Sequence, residues 1–66
     1  MKNRIKECRK SEGMSQAELG ERVGLSRQAI SLYEIGFRRP SLEIWEELAD
    51  ALSVNPAYLV GWIDHE

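Results

Sequence analysis

Cysteine occurs once in this chain, at Cys8, which excludes an internal disulfide, and no C-x-x-C pair or Cys/His cluster offers a metal staple instead. No apolar run approaches the roughly 18 residues of a membrane span. The amino-terminal MKNRIKECRK is charged where a signal peptide is apolar. Strand signals are also lacking, since no stretch alternates apolar and polar residues over enough positions between turn residues. There is no repeat, no low-complexity tract and no linker. These absences leave an all-α, soluble, intracellular chain in a reducing compartment, expected to fold as one domain over 1–66. A domain of this length buries only about 60% of the surface its unfolded chain exposes. Its local helix signals therefore have to be strong.

Positive charge is missing from the carboxy-terminal part. All nine Lys and Arg lie at or before Arg39, where five Glu oppose them for a net +4; from Pro40 onward six acidic residues stand alone at −6, and the whole chain carries −2. The net value hides a basic first part and an acidic tail, which fits one positive and one negative surface as well as it fits two merely solvated faces.

Helix punctuation is what the sequence has in abundance. Ser15-Gln-Ala-Glu18 is a capping box, in which the Ser15 hydroxyl accepts from the Glu18 amide and the Glu18 carboxylate accepts from the Ser15 amide. Met14 and Leu19 flank it as a hydrophobic staple. The same frame recurs as Leu25, Ser26 and Ile30, and as Val54, Asn55 and Leu59, with Pro56 at the first helical position. Ser41 is a fourth start. Gly13, Gly24, Gly36 and Gly61 each follow a helical run and read as stops. The pattern predicts five short helices, over 3–12, 16–23, 27–35, 42–52 and 56–61. Trp45, Leu48, Ala49 and Leu52 form one buried stripe on the fourth. The first adds Ile5 and Cys8 to the core, and the second adds Leu19 and Val23.

Only Gly24 and Leu25 separate the second helix from the Ser26 cap, too few residues for an antiparallel hairpin, so the two helices cross steeply. Gly20 supplies the small residue that such a crossing needs. Leu19, Val23, Leu25, Ile30 and Tyr33 fill the angle between them. From RKSEGMSQAELG through GLSRQAISLYEIG and RRPSLEIWEELADAL to AYLVGW, the sequence resembles the phage repressor and Cro type of helix-turn-helix regulators, the XRE family. The resemblance covers nearly the whole chain. It implies a lambda-repressor-like, five-helix DNA-binding fold and a transcriptional regulator, a repressor, whose partner is a double-stranded, pseudo-palindromic operator.

On a helical wheel of the third helix, Ala29, Ile30, Tyr33 and Glu34 share the inner side, and Arg27, Gln28, Ser31, Leu32 and Ile35 the outer. In helix-turn-helix docking the amino end of this helix meets base edges in the major groove. Arg27 and Gln28 match guanine and adenine edges, Leu32 suits a thymine methyl, and Ser31 is in reach of a base or a phosphate. The alternative is a plain solvated helix face. The resemblance implies that Gln16 binds phosphate and braces Gln28. Ser26, Arg38 and Arg39 complete the expected phosphate contacts. Arg9 and Glu34 both lie near the core, where an unpaired charge is costly, and are expected to pair.

Gly20, Leu32 and the acidic tail depart from the family pattern. Alanine is usual at position 20, so Gly20 should cost its helix roughly 1 kcal/mol. Leu32 stands where polar or basic side chains are common, and the acidic tail suggests weaker non-specific DNA binding. One helix reads few base pairs, which points to a homodimer on half-sites. Tyr58, Val60, Trp62 and Ile63 are the candidate interface, against a reading in which Trp62 folds onto the fourth helix as core. No cofactor, metal or small-molecule ligand is suggested. An enzyme is not expected, because His65 lies beside Asp64 at a terminus expected to fray, with no third residue to complete a catalytic set, and Cys8 reads as a core filler facing Ile5. A protein-binding adaptor or antitoxin module on the same scaffold is the rival function.

Overall fold

Each expected start signal carries a hydrogen bond in the computed structural model, which describes residues 3–65. The five helices are α1 (Ile5–Ser11), α2 (Gln16–Val23), α3 (Arg27–Glu34), α4 (Leu42–Leu52) and α5 (Pro56–Val60). Ahead of α2 the capping box closes in both directions, with the Glu18 amide donating to Ser15 Oγ at 3.0 Å and the Ser15 amide to Glu18 Oε1 at 2.8 Å. Ser26 Oγ accepts from the Ala29 amide at 3.1 Å, Ser41 Oγ from Ile44 at 3.2 Å, and Asn55 Oδ1 from Ala57 at 2.8 Å. No strand occurs among the described residues.

Three helices are shorter than the pattern predicts, and in each case a specific contact ends them. The first helix, expected from residue 3, starts at Ile5 because Asn3 works outside it: its Oδ1 accepts from the Ile5 amide at 3.0 Å while its Nδ2 donates to the Tyr33 carbonyl at 2.8 Å. The third stops at Glu34, where Gly36 at φ 78° turns the chain and the Phe37 amide donates back to the Leu32 carbonyl at 3.0 Å. The fifth ends at Val60, with Gly61 as its cap. The stop of α4 carries no glycine at all. Ser53 adopts φ 58° there, a left-handed conformation that costs an ordinary residue roughly 1–2 kcal/mol, and the Val54 amide then donates to the Ala49 carbonyl at 3.0 Å.

Packing gathers all five helices on one core. Ile5, Leu19, Ile30, Leu48, Leu52 and Leu59 are fully buried, with Cys8, Met14, Tyr33 and Ala49 around them. Trp45, expected in the α4 stripe, is only half-buried and packs on the edge of this cluster. At the crossing of α2 and α3 the Leu25 amide donates to the Gly20 carbonyl at 2.8 Å. A Cβ on Gly20 would stand 2.5 Å from the Leu25 carbonyl oxygen. The propensity lost at this position is therefore matched by an approach of the turn that a methyl group would block.

Arg4 ties the tail to this body, a role that no sequence pattern flagged. Its amide donates to the Leu59 carbonyl at 2.8 Å, and its Nη1 donates to the carbonyls of Tyr58 and Ile63 at 2.7 and 2.8 Å. The guanidinium also lies 4.3 Å from the centroid of the Tyr58 ring.

Candidate nucleic-acid interface

The amino end of α3 is set in place by its cap, its entry turn and its contact with α2. Ser26 caps it, Gly24 at φ 72° fixes the turn into it, and Leu25 wedges against Gly20. Arg27 and Gln28 stand on that end, both exposed. Ile30 and Tyr33 are buried and Ala29 is half-buried, so the inner face of α3 is spent on the core. On the outer face Ser31 and Leu32 are half-buried and Ile35 is exposed. The result is a protruding edge with two long polar side chains at its tip and an apolar pair, Leu32 and Ile35, further along.

Behind that edge a single carboxylate joins three helices. Arg9 Nε donates to Glu34 Oε2 at 2.7 Å, its Nη2 reaches Glu34 Oε1 at 3.4 Å, and its Nη1 donates to the Met14 carbonyl at 2.8 Å. The side chains of Arg9 and Glu34 are 9% and 3% exposed, so the pair is desolvated and its geometry decides its value. Gln16 Nε2 donates to Glu34 Oε1 at 3.0 Å. This differs from the expectation that Gln16 braces Gln28: its amide is drawn instead to the buried carboxylate, the stronger acceptor. Because a carboxylate only accepts, the amide must turn its nitrogen inward.

The remaining expected contacts lie on the rim. Ser26 Oγ is occupied as an acceptor by the Ala29 amide, which leaves its O–H to donate. Arg38 and Arg39 are exposed on the loop after α3, beside a cleft of about 150 Å³ walled by Pro40, Trp45, Val60 and Trp62. Phe37, which sequence reasoning passed over, is 81% exposed on the same loop. An apolar residue just after a helix-ending glycine normally packs back on the helix, so nothing in the sequence marked it as exposed. Of the four residues expected at a dimer seam, Trp62 is 68% exposed, Tyr58 and Ile63 are half-buried, and Val60 is buried. Val60 is thus spent largely on the monomer's own core, and Trp62 does not fold into it.

A short turn between two helices that meet at Gly20 and Leu25, the second with its amino end exposed, defines a helix-turn-helix domain. The chain belongs to the helix-turn-helix family of phage repressor and Cro type, whose family model matches residues 5–59. It is 39% identical over 66 residues to the HTH-type transcriptional regulator YgzD of Bacillus subtilis, covering 100% of this chain and 98% of that one. It is 40% identical over 55 residues to the regulator y4aM of Sinorhizobium fredii, covering 83% of this chain but only 38% of that protein. Some relatives therefore carry much more chain than the matched domain. Among solved structures, the P22 c2 repressor in complex with synthetic operator 9T superposes with a TM-score of 0.83 at 40% identity, over 88% of each chain.

Proposed function

We propose that this chain is a sequence-specific, double-stranded DNA-binding transcriptional regulator, a repressor, that reads operator half-sites in the major groove with α3. The observation that carries this reading is the exposed amino end of α3, where Arg27 and Gln28 project from a backbone already fixed by the Ser26 cap and the Gly20 crossing. Arg27 suits the O6/N7 edge of guanine and Gln28 the N6/N7 edge of adenine. Leu32 offers its methyls to thymine, and Ser31 reaches base or phosphate. Gln16, Ser26, Arg38 and Arg39 hold the phosphates on either side, adding affinity without sequence preference. That the P22 c2 repressor was solved on an operator supports the reading. The adaptor or antitoxin alternative is not favoured, since the relatives above are named as transcriptional regulators. A regulator of this kind acts where the chromosome lies, so we place it in the cytoplasm.

Two copies are needed for a useful site. One α3 spans too few base pairs to select an operator, and two-fold pairing places a second α3 one helical turn away on a pseudo-palindrome. Trp62, at 68% exposure, supports the tail as the seam. Selection from a random duplex pool tests the whole reading. The expected result is an enriched, inverted-repeat motif; recovery of no motif at low ionic strength overturns it.

A further inference from the structure

Beside the reading edge runs an open groove of about 740 Å³ between the start of α1 and the outer side of α3. Asn3 and Lys6 line it from the α1 side, Gln16 from the start of α2, and Ser31, Glu34 and Ile35 from α3. Ser31 belongs to this groove and to the base-reading face alike, so the groove opens on the side that would meet a duplex. We infer that Lys6 is a further DNA-contacting residue, closing from α1 on the same backbone phosphate that Gln16 is proposed to hold. This rests on the reading of α3 given above.

The electrostatics of the groove support an anion. Glu34 is its one lining carboxylate, and that charge is taken up by Arg9 Nε at 2.7 Å with the side chain 3% exposed. What faces outward is the Lys6 ammonium, on an exposed residue, together with the amide of Gln16. The Gln16 nitrogen gives one N–H to Glu34 Oε1 at 3.0 Å. Its second N–H remains for a ligand. Glu34 thereby positions Gln16: the buried ion pair aims an amide donor at the anion without lending the groove its charge. Lys6 supplies the countercharge from α1, an element that the sequence pattern had assigned to the core alone.

The test is a salt titration of binding to the selected duplex, from about 50 to 200 mM, for wild type, Lys6→Gln and Lys10→Gln. Each phosphate contact contributes about 0.9 to the slope of log affinity against log salt. Lys6→Gln is expected to flatten the slope by about 0.9 per bound subunit while leaving the preferred sequence unchanged. Lys10 is exposed on the same helix one turn further on, outside the groove, and its loss should leave the slope as it is. An unaltered slope in Lys6→Gln overturns the inference while DNA reading by α3 stands. An equal fall in both variants also overturns it, because that result means a diffuse charge effect. Failure of the wild type to bind any duplex sinks the reading of α3 itself.

Discussion

Glu34 shows how much one side chain can hold. It accepts from Arg9 at 2.7 and 3.4 Å and from Gln16 at 3.0 Å, linking α1, α2 and α3 where the paired side chains are largely shielded from water. Removing one partner of a buried pair costs about 3–5 kcal/mol, because the other charge is left stranded. In a domain of this size that approaches the whole stability, so Glu34→Ala should lower the melting temperature by roughly 10 °C or more. Thermal circular dichroism checks it; an unchanged melt would mean that the pair carries no weight. Arg27 makes the opposite kind of contribution. Exposed and free of the core, Arg27→Ala should leave the melt within a degree or two of wild type. It should relax base preference at one position of the half-site, by about 1–3 kcal/mol. Repeating the pool selection with this variant reads the outcome directly. That Glu34 lies near the core was legible from the wheel of the third helix, and that Arg9 does from its place after Cys8, one turn beyond Ile5. That Gln16 joins them was not, since a bond across 18 residues leaves no local spacing.

At the scale of elements, α2 depends on its first turn and on its crossing. The Glu18 carboxyl is held below its ordinary pKa, first by the Ser15 backbone amide, then by the Ser15 hydroxyl and by the charge of Arg22. A lowered folded value means that the stabilisation is present above the ordinary carboxylate range and fades as pH falls through the lowered value. Melting curves of wild type and Glu18→Gln should therefore differ at neutral pH and converge on acidification. A gap that stays constant to low pH would show that the charge is idle. Gly20→Ala is expected to lower the melting temperature despite the roughly 1 kcal/mol that alanine gains in a helix, because its Cβ would meet the Leu25 oxygen at 2.5 Å. The caps were read correctly since each is a contact within three residues. The end of α4 at Leu52 was read correctly, but its left-handed cap at Ser53 was not, because a serine at φ 58° has no composition signal.

For the molecule as a whole, the open question of the tail becomes a measurable one. Trp62 stands out at 68% exposure beside a cleft of about 150 Å³ that it shares with Trp45, Pro40 and Arg39. If this surface joins two copies, sedimentation of Trp62→Ala at micromolar concentration should show a lower mass than wild type with the helical content unchanged. Equal masses would remove the tail from the dimer seam. Val60, expected there too, is buried and serves the monomer.

Helix number, the starts of the second to fifth helices, the Leu48, Ala49 and Leu52 part of the core stripe and the outward face of the third helix were determined by the sequence alone, because caps, staples and 3.6-residue periodicity act over one or two turns. The tertiary structure decided the rest: that Gln16 serves Glu34, that Arg4 clasps the tail, that Trp62 faces solvent, and that Lys6 shares a groove with Ser31. Each of these joins residues far apart in the chain, and such contacts exist only once the helices have packed.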